Sequence, residues 1–405
     1  MTPTNSTPTL SSARIISQPD TAATQNPAAE VARLKRTIAE LHENLSNGSN
    51  KCPTSTVTLG RGICRAVSLF VDISRLVKES DRREQLLADD DEDDEDEDHD
   101  DPTANPVELE RDRDCMYAAY LELCALVPGF KANLLNTDGA VLNTYISSLT
   151  RGANDARSDD ISKLMKAVAH WLNELGTTTT TLNPEDRSMR GLKHDTTGRL
   201  LCPIEYDWDD EAVRVKLCAG EEGFDINSSL FVRCFYKHAK GDPNDVEKNF
   251  LRSYLLVKVY LAFFFFAPSS ANRVRSDNDN ENDNLAVSGS SASRRTTKST
   301  VAQKMGLNIA TPCTIAYAAV LLHFSLTDAP NWKAMHNGFS YEHLYNFIID
   351  FFEDARGDNA NERTMALLCW WNKKVFPARQ AAAANSRASM DKLKVQRAAR
   401  ERGGA

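Results

Sequence analysis

The stretch that decides the fold runs from Ser158 to Leu175 and reads SDDISKLMKAVAHWLNEL. Its large apolar residues recur every three or four positions, which places them along one face of an α-helix. Ser158 is the natural N-cap of this helix, and Asp159 and Asp160 suit its first turn because acidic groups there face the positive end of the helix dipole. The pattern predicts a fold built from amphipathic helices. The apolar face consists of Ile161, Leu164, Met165, Val168, Leu172 and Leu175.

Similar helical spacing continues on both sides of this stretch. The period-two alternation of strands is scarce, and the best strand candidate, residues 200–204, is short. The sequence therefore predicts a mainly α fold with a single multi-helix body over residues 106–377. Helices are predicted over about 246–267, 312–326, 339–354 and 360–375, with a short one starting near residue 209.

Segments around and within this body differ from it in composition. Residues 1–29 are mostly Thr, Ser, Pro, Asn and Ala, so they are predicted to be disordered. A polar insert over residues 272–302 is predicted to be disordered for the same reason. Residues 30–46 predict a short coiled-coil-like helix, and residues 60–88 predict an amphipathic helix. The apolar seam at 31–45 spans two heptads, so it fits either homodimerisation or a single amphipathic helix.

Charge is concentrated in two segments. The 405-residue chain has 48 Lys+Arg against 57 Asp+Glu and a net charge of -9. Residues 89–101 contain twelve of the acids, so the rest of the chain carries a net charge of +3. Like charges at this density repel one another, which predicts an acidic disordered linker over 89–105 that can engage a basic protein partner. The tail over 378–405 is basic and is predicted to be partly helical.

The basic tail supplies the candidate partner-binding residues. They would contact nucleic-acid phosphates without sequence preference or act as a weak nuclear localisation signal. Two other interpretations stay open: the tail has no dedicated partner, or it attracts the acidic tract of the same chain. The candidates are Arg387, Lys392, Lys394, Arg397, Arg400 and Arg402.

No segment predicts secretion or a membrane span. The N-terminal residues lack the basic region and apolar run of a signal peptide. The most apolar run, Tyr254–Ala267, has fourteen residues and is shorter than the ~20 that a spanning helix needs. Nine cysteines without a Cys-x-x-Cys pair indicate reduced thiols. The protein is therefore expected to be intracellular, nuclear or cytoplasmic, with no membrane partner.

The most acidic motif of the body does not require a metal. Asp209, Asp210 and Glu211 are consecutive, whereas a two-metal site needs carboxylates that converge from separate elements. Acids favouring a helix N-terminus are the simpler interpretation. Four tryptophans are likewise assigned to the core, because no Arg or Lys alternates with them as in a base-stacking surface. These are Trp208, Trp332, Trp370 and Trp371.

Histidine and cysteine residues show no ligand pattern. His194 lies eight positions before Cys202, without the paired close ligands typical of a zinc site. Buried thiols that behave as small apolar groups explain Cys202, Cys218 and Cys234. His323 lies in an apolar helix and is predicted to be a hydrogen-bonded core residue. The sequence therefore predicts no catalytic residue, no metal and no cofactor.

The order of short motifs resembles one known group of proteins. The motifs are GANDARSDD at 152–160, HDTTGRLLCP at 194–203, YDW at 206–208, APSSA at 267–271, TPCTIAY at 311–317, WWN at 370–372 and FP at 376–377. Over residues 60–377 they look like an uncharacterised family of fungal proteins, expanded in mushroom-forming basidiomycetes and defined only as a domain of unknown function. The resemblance implies a fungal source and an intracellular setting. It implies no reaction, ligand or partner.

Two hypotheses about function follow. The first is a non-enzymatic interaction protein that associates with nucleic acid or chromatin through its charged tails. The alternative is a divergent or mobile-element-derived enzyme that uses scattered carboxylate and His residues. A body packed solid with apolar side chains would exclude the enzyme, whereas a hollow lined by ionisable groups with shifted pKa values would favour it. We expect the solid body.

Overall fold

The computed structural model describes residues 55–88, 106–176, 180–224, 226, 230–265 and 300–403, all within one unit of the chain. The predictions for residues 1–29, 30–46 and 89–105 lie outside the described residues. So do the seam at 31–45 and the insert as far as residue 299.

Thirteen α-helices make up most of the described residues, which confirms the mainly α prediction. The first five are α1 (Thr56–Ala66), α2 (Ile73–Ala88), α3 (Pro106–Leu126), α4 (Phe130–Asn136) and α5 (Gly139–Glu174). The next five are α6 (Asp195–Leu201), α7 (Glu211–Ala219), α8 (Tyr254–Phe264), α9 (Val301–Lys304) and α10 (Pro312–Leu326). The last three are α11 (Tyr341–Glu353), α12 (Asp358–Val375) and α13 (Pro377–Gly403). The short strands β1 (Met335–His336) and β2 (Phe339–Ser340) pair antiparallel.

Helix α10 is the centre of the body. Every residue from Cys313 to Leu326 is buried, because α1, α5, α8 and α11 all pack around this helix. A helix that is apolar on all sides needs such an enclosure. Thr311 caps its first turn by accepting from the Thr314 N–H at 3.3 Å, and Pro312 occupies the first helical position. No described helix is long and apolar enough to span a bilayer.

Helix α5 is longer than predicted. It runs unbroken from Gly139 to Glu174, so the predicted N-cap at Ser158 is wrong and the helix is preceded by Asp138 instead. Gly152 lies inside the helix at the point where α1 crosses it. A Cβ there would come within 2.2 Å of the Val57 carbonyl oxygen, so the glycine is required by close packing and does not end the helix.

The predicted amphipathic helix over 60–88 is two helices. The chain turns between α1 and α2, where Ser68 Oγ accepts from the Val71 N–H at 3.0 Å and Asp72 Oδ1 accepts from the Ser74 N–H at 3.3 Å. Such local side-chain bonds compete with helix continuation. Ile63 and Leu76 on these helices are buried. The described body therefore begins before residue 106, the predicted boundary.

Three further boundaries differ from the predictions. Residues 200–204 are not a strand, because α6 continues to Leu201 and only Pro203 forms an isolated bridge, with Val232. The helix predicted from 246 begins at Tyr254, since Asn249 and Leu251 have φ angles of 64° and 54°, which no right-handed helix allows. The predicted insert includes residues 300–302, but Thr300 and Gln303 form a capping box and α9 starts at Val301.

Candidate functional site

The consecutive acids at 209–211 have structural roles. Asp210 caps α7, with Oδ1 accepting from the Ala212 N–H at 2.8 Å. Asp209 forms a bidentate ion pair with Arg199 on α6, at 2.6 and 2.8 Å. This pair holds the pKa of Asp209 below its usual range. The described residues contain no cluster of three or more His, Cys, Asp or Glu side chains that could hold a metal ion.

His194 and Cys202 are each engaged locally. His194 caps α6 through Nδ1, which accepts from the Thr196 N–H at 3.2 Å, and its Nε2 lies 3.0 Å from Thr180 Oγ1. Cys202 is buried and its thiol donates to the Pro203 carbonyl at 3.4 Å. Desolvation raises the pKa of Cys202 to about 11. A protonated thiol is a poor nucleophile, so the geometry assigns neither residue a chemical role.

A buried ion pair that the sequence analysis missed joins three helices. Arg65 on α1 donates to both carboxylate oxygens of Asp160 on α5, Nε at 2.6 Å and Nη2 at 2.8 Å. The Tyr317 hydroxyl on α10 donates to Asp160 Oδ2 at 2.8 Å. Desolvation is the largest single influence and opposes the charge on Arg65, but the hydrogen bond to Asp160 and the attraction of its charge together outweigh it, so the pKa of Arg65 is raised. The buried charge of Arg65 is therefore paired, and removing either partner would leave the other charge buried alone.

A groove of about 410 Å³ separates α3 from α10 and α11. Cys313 Sγ donates to Glu122 Oε2 at 3.8 Å within it. Desolvation, with Glu353 adding repulsion, raises the pKa of Glu122 to about 7, and the pKa of Cys313 is also raised by desolvation. Glu122 and Glu353 are nevertheless exposed at the mouth of the groove, where water reduces such shifts. The expectation of a solidly packed body is wrong at this point.

A larger cavity of about 800 Å³ lies at the C-terminal end of α10. It is bounded by residues 191–193, the loop 219–224 after α7, and the β1–β2 hairpin. His323 lines it and is buried, as predicted, but its Nδ1 has no hydrogen-bond partner among the described residues, which differs from the predicted bonded state. The cavity is a second departure from a solid body.

The basic candidates lie on α13, a helix of 27 residues. Arg387, Lys392, Lys394, Arg397 and Arg400 are all exposed there. The side chain of Arg402 lies outside the described residues. Arg379 donates to the Asn308 carbonyl at 2.7 Å and fastens the start of the helix to the body.

Cysteine reactivity gives a first test of the described core. The buried-thiol interpretation holds for Cys202 and Cys234, whereas Cys218 is exposed because it lies at the outer end of α7. In the native protein, a thiol reagent is expected to label the exposed cysteines. Desolvation raises the pKa values of Cys115 and Cys218, so their labelling should become faster as the pH rises and more thiolate forms. Labelling of the buried ones should require unfolding. The exposed set is Cys115, Cys218 and Cys369, and the buried set is Cys64, Cys202, Cys234 and Cys313.

Mass spectrometry of the labelled peptides checks this prediction. Burial raises the pKa of Cys64 to about 12, so its labelling in the folded protein should be slower than that of Cys218 by orders of magnitude. Equal rates for the two would contradict the described packing.

Comparison with known proteins gives one match. The model of a family of unknown function, DUF6698, matches residues 151–376, which is more than half of the chain. No curated protein and no solved structure matches at a significant level. The match includes α6, α7 and α10, which surround the larger cavity, and ends just before α13. The predicted fungal source stays a prediction. The chain belongs to the family of unknown function DUF6698.

Proposed function

We propose that this protein is a non-enzymatic interaction protein that binds a phosphate-rich polyanion, such as nucleic acid, through α13. The supporting observation is an exposed helix on which four basic side chains share one face. With about 100° of rotation per residue, Arg387, Lys394, Arg397 and Arg400 fall within an arc of about 140°. Lys392 points away from this arc. These four residues are the basic face of α13.

The basic face is free to contact a partner. Within this face, Lys394 Nζ lies 3.8 Å from Asp391 Oδ1, and both side chains are about three-quarters exposed. Such an exposed ion pair contributes little to stability, so Lys394 can leave Asp391 for a phosphate. Met390 and Leu393 lie within or close to the same arc and are 52% and 37% exposed. Apolar groups beside cations suit sugar and base surfaces next to phosphates.

Helix α13 is long enough to follow a nucleic-acid backbone. Its 27 residues extend about 40 Å. Each basic residue that neutralises a phosphate releases counterions, so binding should weaken steeply as salt rises. Nuclear or cytoplasmic location, as the sequence predicts, would give access to such a partner.

Two double variants with equal charge loss test the proposal. Lys394→Gln with Arg397→Gln removes half of the basic face, and the control Lys392→Gln with Lys373→Gln removes two exposed charges outside it. Fluorescence anisotropy with a labelled DNA duplex is measured across a salt series. The face variant should reduce the slope of log K against log salt by about 2, and the control by less than 1. Equal losses would reject a specific face, and no loss in either would reject α13 as the binding element.

The acidic tract offers a separate partner class. Its proposed role, binding a basic protein through residues 89–101, lies outside the described residues and rests on charge alone. Homodimerisation through residues 31–45 rests in the same way on the sequence pattern.

The enzyme alternative has one arrangement in its favour. Glu122, with a pKa of about 7, contacts the Cys313 thiol in the groove beside α3. A carboxyl group that titrates near neutrality is typical of general acid–base chemistry. However, the raised pKa of Cys313 opposes thiolate formation, and Glu122 is exposed. The interaction function therefore remains the better supported proposal.

A further inference from the structure

The groove of about 410 Å³ between α3 and α11 is also lined by the turn between α1 and α2 and by the first turn of α10. We infer that this groove binds an arginine side chain from a basic segment of a partner protein. The inference does not depend on the polyanion function proposed for α13, because none of the residues that line the groove belongs to that helix. The volume lies within the range of about 300–1,000 Å³ that is typical of ligand pockets.

The floor of the groove is buried and mostly apolar. Val67 and Tyr345 line it and are 2% and 3% exposed, and Cys313 is buried as well. The Phe70 ring meets the Tyr345 ring edge-on, with centroids 5.7 Å apart. Arginine packs its aliphatic stem along apolar surface and keeps its charged head among polar groups. A floor of this kind beneath a polar rim therefore suits an arginine side chain.

The rim of the groove carries an excess of negative charge. Five carboxylates line the groove against two guanidinium groups, which are those of Arg75 and Arg111. Arg111 on α3 already forms an ion pair with Asp350 on α11, and Arg75 is exposed on α2. The rim therefore attracts a cation. The five acidic residues are Asp112, Glu122, Glu342, Asp350 and Glu353.

Glu122 and Glu353 are the two carboxylates whose charges repel each other at this rim. Neither forms an ion pair within the part of the chain that the structure describes, and the contact of Glu122 is with the thiol of Cys313. Desolvation raises the pKa of Glu353, and repulsion from Asp350 adds to this effect. Repulsion from Glu353 in turn adds to the desolvation of Glu122. A cation bound beside these carboxylates would relieve the repulsion.

The same groove indicates which cation fits. Arg111 reaches from α3 to Asp350 on α11, so the groove already holds one guanidinium group between these two helices. A guanidinium group carries five N–H donors in a planar fork, which is enough to bond two carboxylates. The acid-rich residues 89–101 are separated from α3 by only four residues, so their charge adds to the attraction of a basic protein segment. The partner is therefore a basic protein segment that places an arginine in the groove.

A blocked pentapeptide, acetyl-Ala-Leu-Arg-Leu-Ala-amide, is the probe. Its matched control carries citrulline, which keeps the shape of arginine without the charge. Each peptide is titrated into the full chain, labelled with ¹³C at the methionine methyl groups. The arginine peptide should shift the resonance of Met116, which lines the groove, and leave that of the exposed Met365 on α12 unchanged. The citrulline peptide should bind at least about tenfold more weakly.

Two double variants with equal charge loss show whether the carboxylates of the groove hold the cation. Glu122→Gln with Glu353→Gln should weaken binding of the arginine peptide about tenfold and leave that of the citrulline peptide unchanged. The control Glu221→Gln with Glu222→Gln removes two exposed charges outside this groove. It should change the affinity for the arginine peptide less than about twofold, because salt screens distant exposed charges.

Three results would overturn the inference. They are an undisturbed Met116 resonance at millimolar arginine peptide, equal affinities of the arginine and citrulline peptides, and equal affinities of the groove variant and its control for the arginine peptide. If the groove variant fails to fold, the Met116 titration and the comparison of the two peptides on the unchanged protein decide.

Discussion

Replacement of Gly152 by alanine is expected to lower the free energy of unfolding by about 3 kcal/mol or more. The new Cβ would lie 2.2 Å from the Val57 carbonyl oxygen and 3.1 Å from the Arg61 amide nitrogen. Both are backbone atoms of α1, so they cannot move aside as the end of a side chain would. Gly60 of α1 packs against α5 in the same way, since a Cβ added there would lie 2.1 Å from the Leu149 carbonyl oxygen. The two glycines set the distance between α1 and α5.

The same helix supplies a matched control for this prediction. Gly139 is the first residue of α5, and a Cβ there would have no atom within 4 Å. Gly139→Ala should therefore leave stability unchanged or raise it by up to about 1 kcal/mol through helix propensity. Guanidinium unfolding followed by circular dichroism gives both values. Similar free energies for the Gly152→Ala and Gly139→Ala proteins would show that α1 does not cross α5 closely at this position.

Asp160→Asn is expected to cost about 3–5 kcal/mol of stability, because it leaves the Arg65 guanidinium buried without a carboxylate. Both side chains are almost fully buried, at 7% and 6% exposure. The double variant Arg65→Met with Asp160→Leu removes both charges and should recover much of the loss, since two apolar groups in a buried site are tolerated better than one unpaired charge. Tyr317→Phe should cost about 2 kcal/mol, because it removes a hydrogen bond to a buried carboxylate.

The preceding residue provides the control. Asp159 pairs with Arg61 between the same two helices at 2.7 Å, but the carboxylate is 51% exposed. Asp159→Asn should therefore cost less than about 1 kcal/mol. Chemical unfolding of the two Asn variants measures the difference. Equal costs would mean that water reaches Asp160 and that the buried network does not hold α1, α5 and α10 together.

The sequence predicted the helices whose boundaries are set locally. Helices α10, α11 and α12 lie within about two residues of their predicted ranges. Thr311 with Pro312 marks the start of α10. Asp210 marks the start of α7 in the same way. Apolar periodicity and capping residues are read from a few neighbouring positions, so one sequence is enough to find them.

Features that depend on distant partners were not predictable. Ser158 and its acids resemble a helix start, but they lie in the middle of α5, where Asp160 pairs with an arginine 95 residues away. No local pattern encodes that partner. Likewise, Gly152 resembles a helix breaker until α1 is placed against it. Tertiary packing overrides local propensity at both positions.

The two candidate sites also differ in how far the sequence alone reveals them. The basic residues of α13 were visible from composition, and their spacing of seven, three and three defines a face once the segment is known to be helical. The groove between α3 and α11 was invisible, because its walls come from residues 67–75, 111–122, 313 and 342–353. Only folding brings these segments together and places Glu353 within range of Glu122.

The central claim is that the body folds without the exposed part of α13 and that α13 binds the polyanion. Removing residues 385–405 tests both parts, through the free energy of unfolding and the affinity for a DNA duplex. The shortened chain should unfold with the same free energy within about 0.5 kcal/mol, because residues 385–398 and 400–401 are exposed and contribute nothing to the core. Its affinity for the duplex at low salt should fall at least about tenfold. A shortened chain that binds the duplex as tightly as the full one would contradict the account.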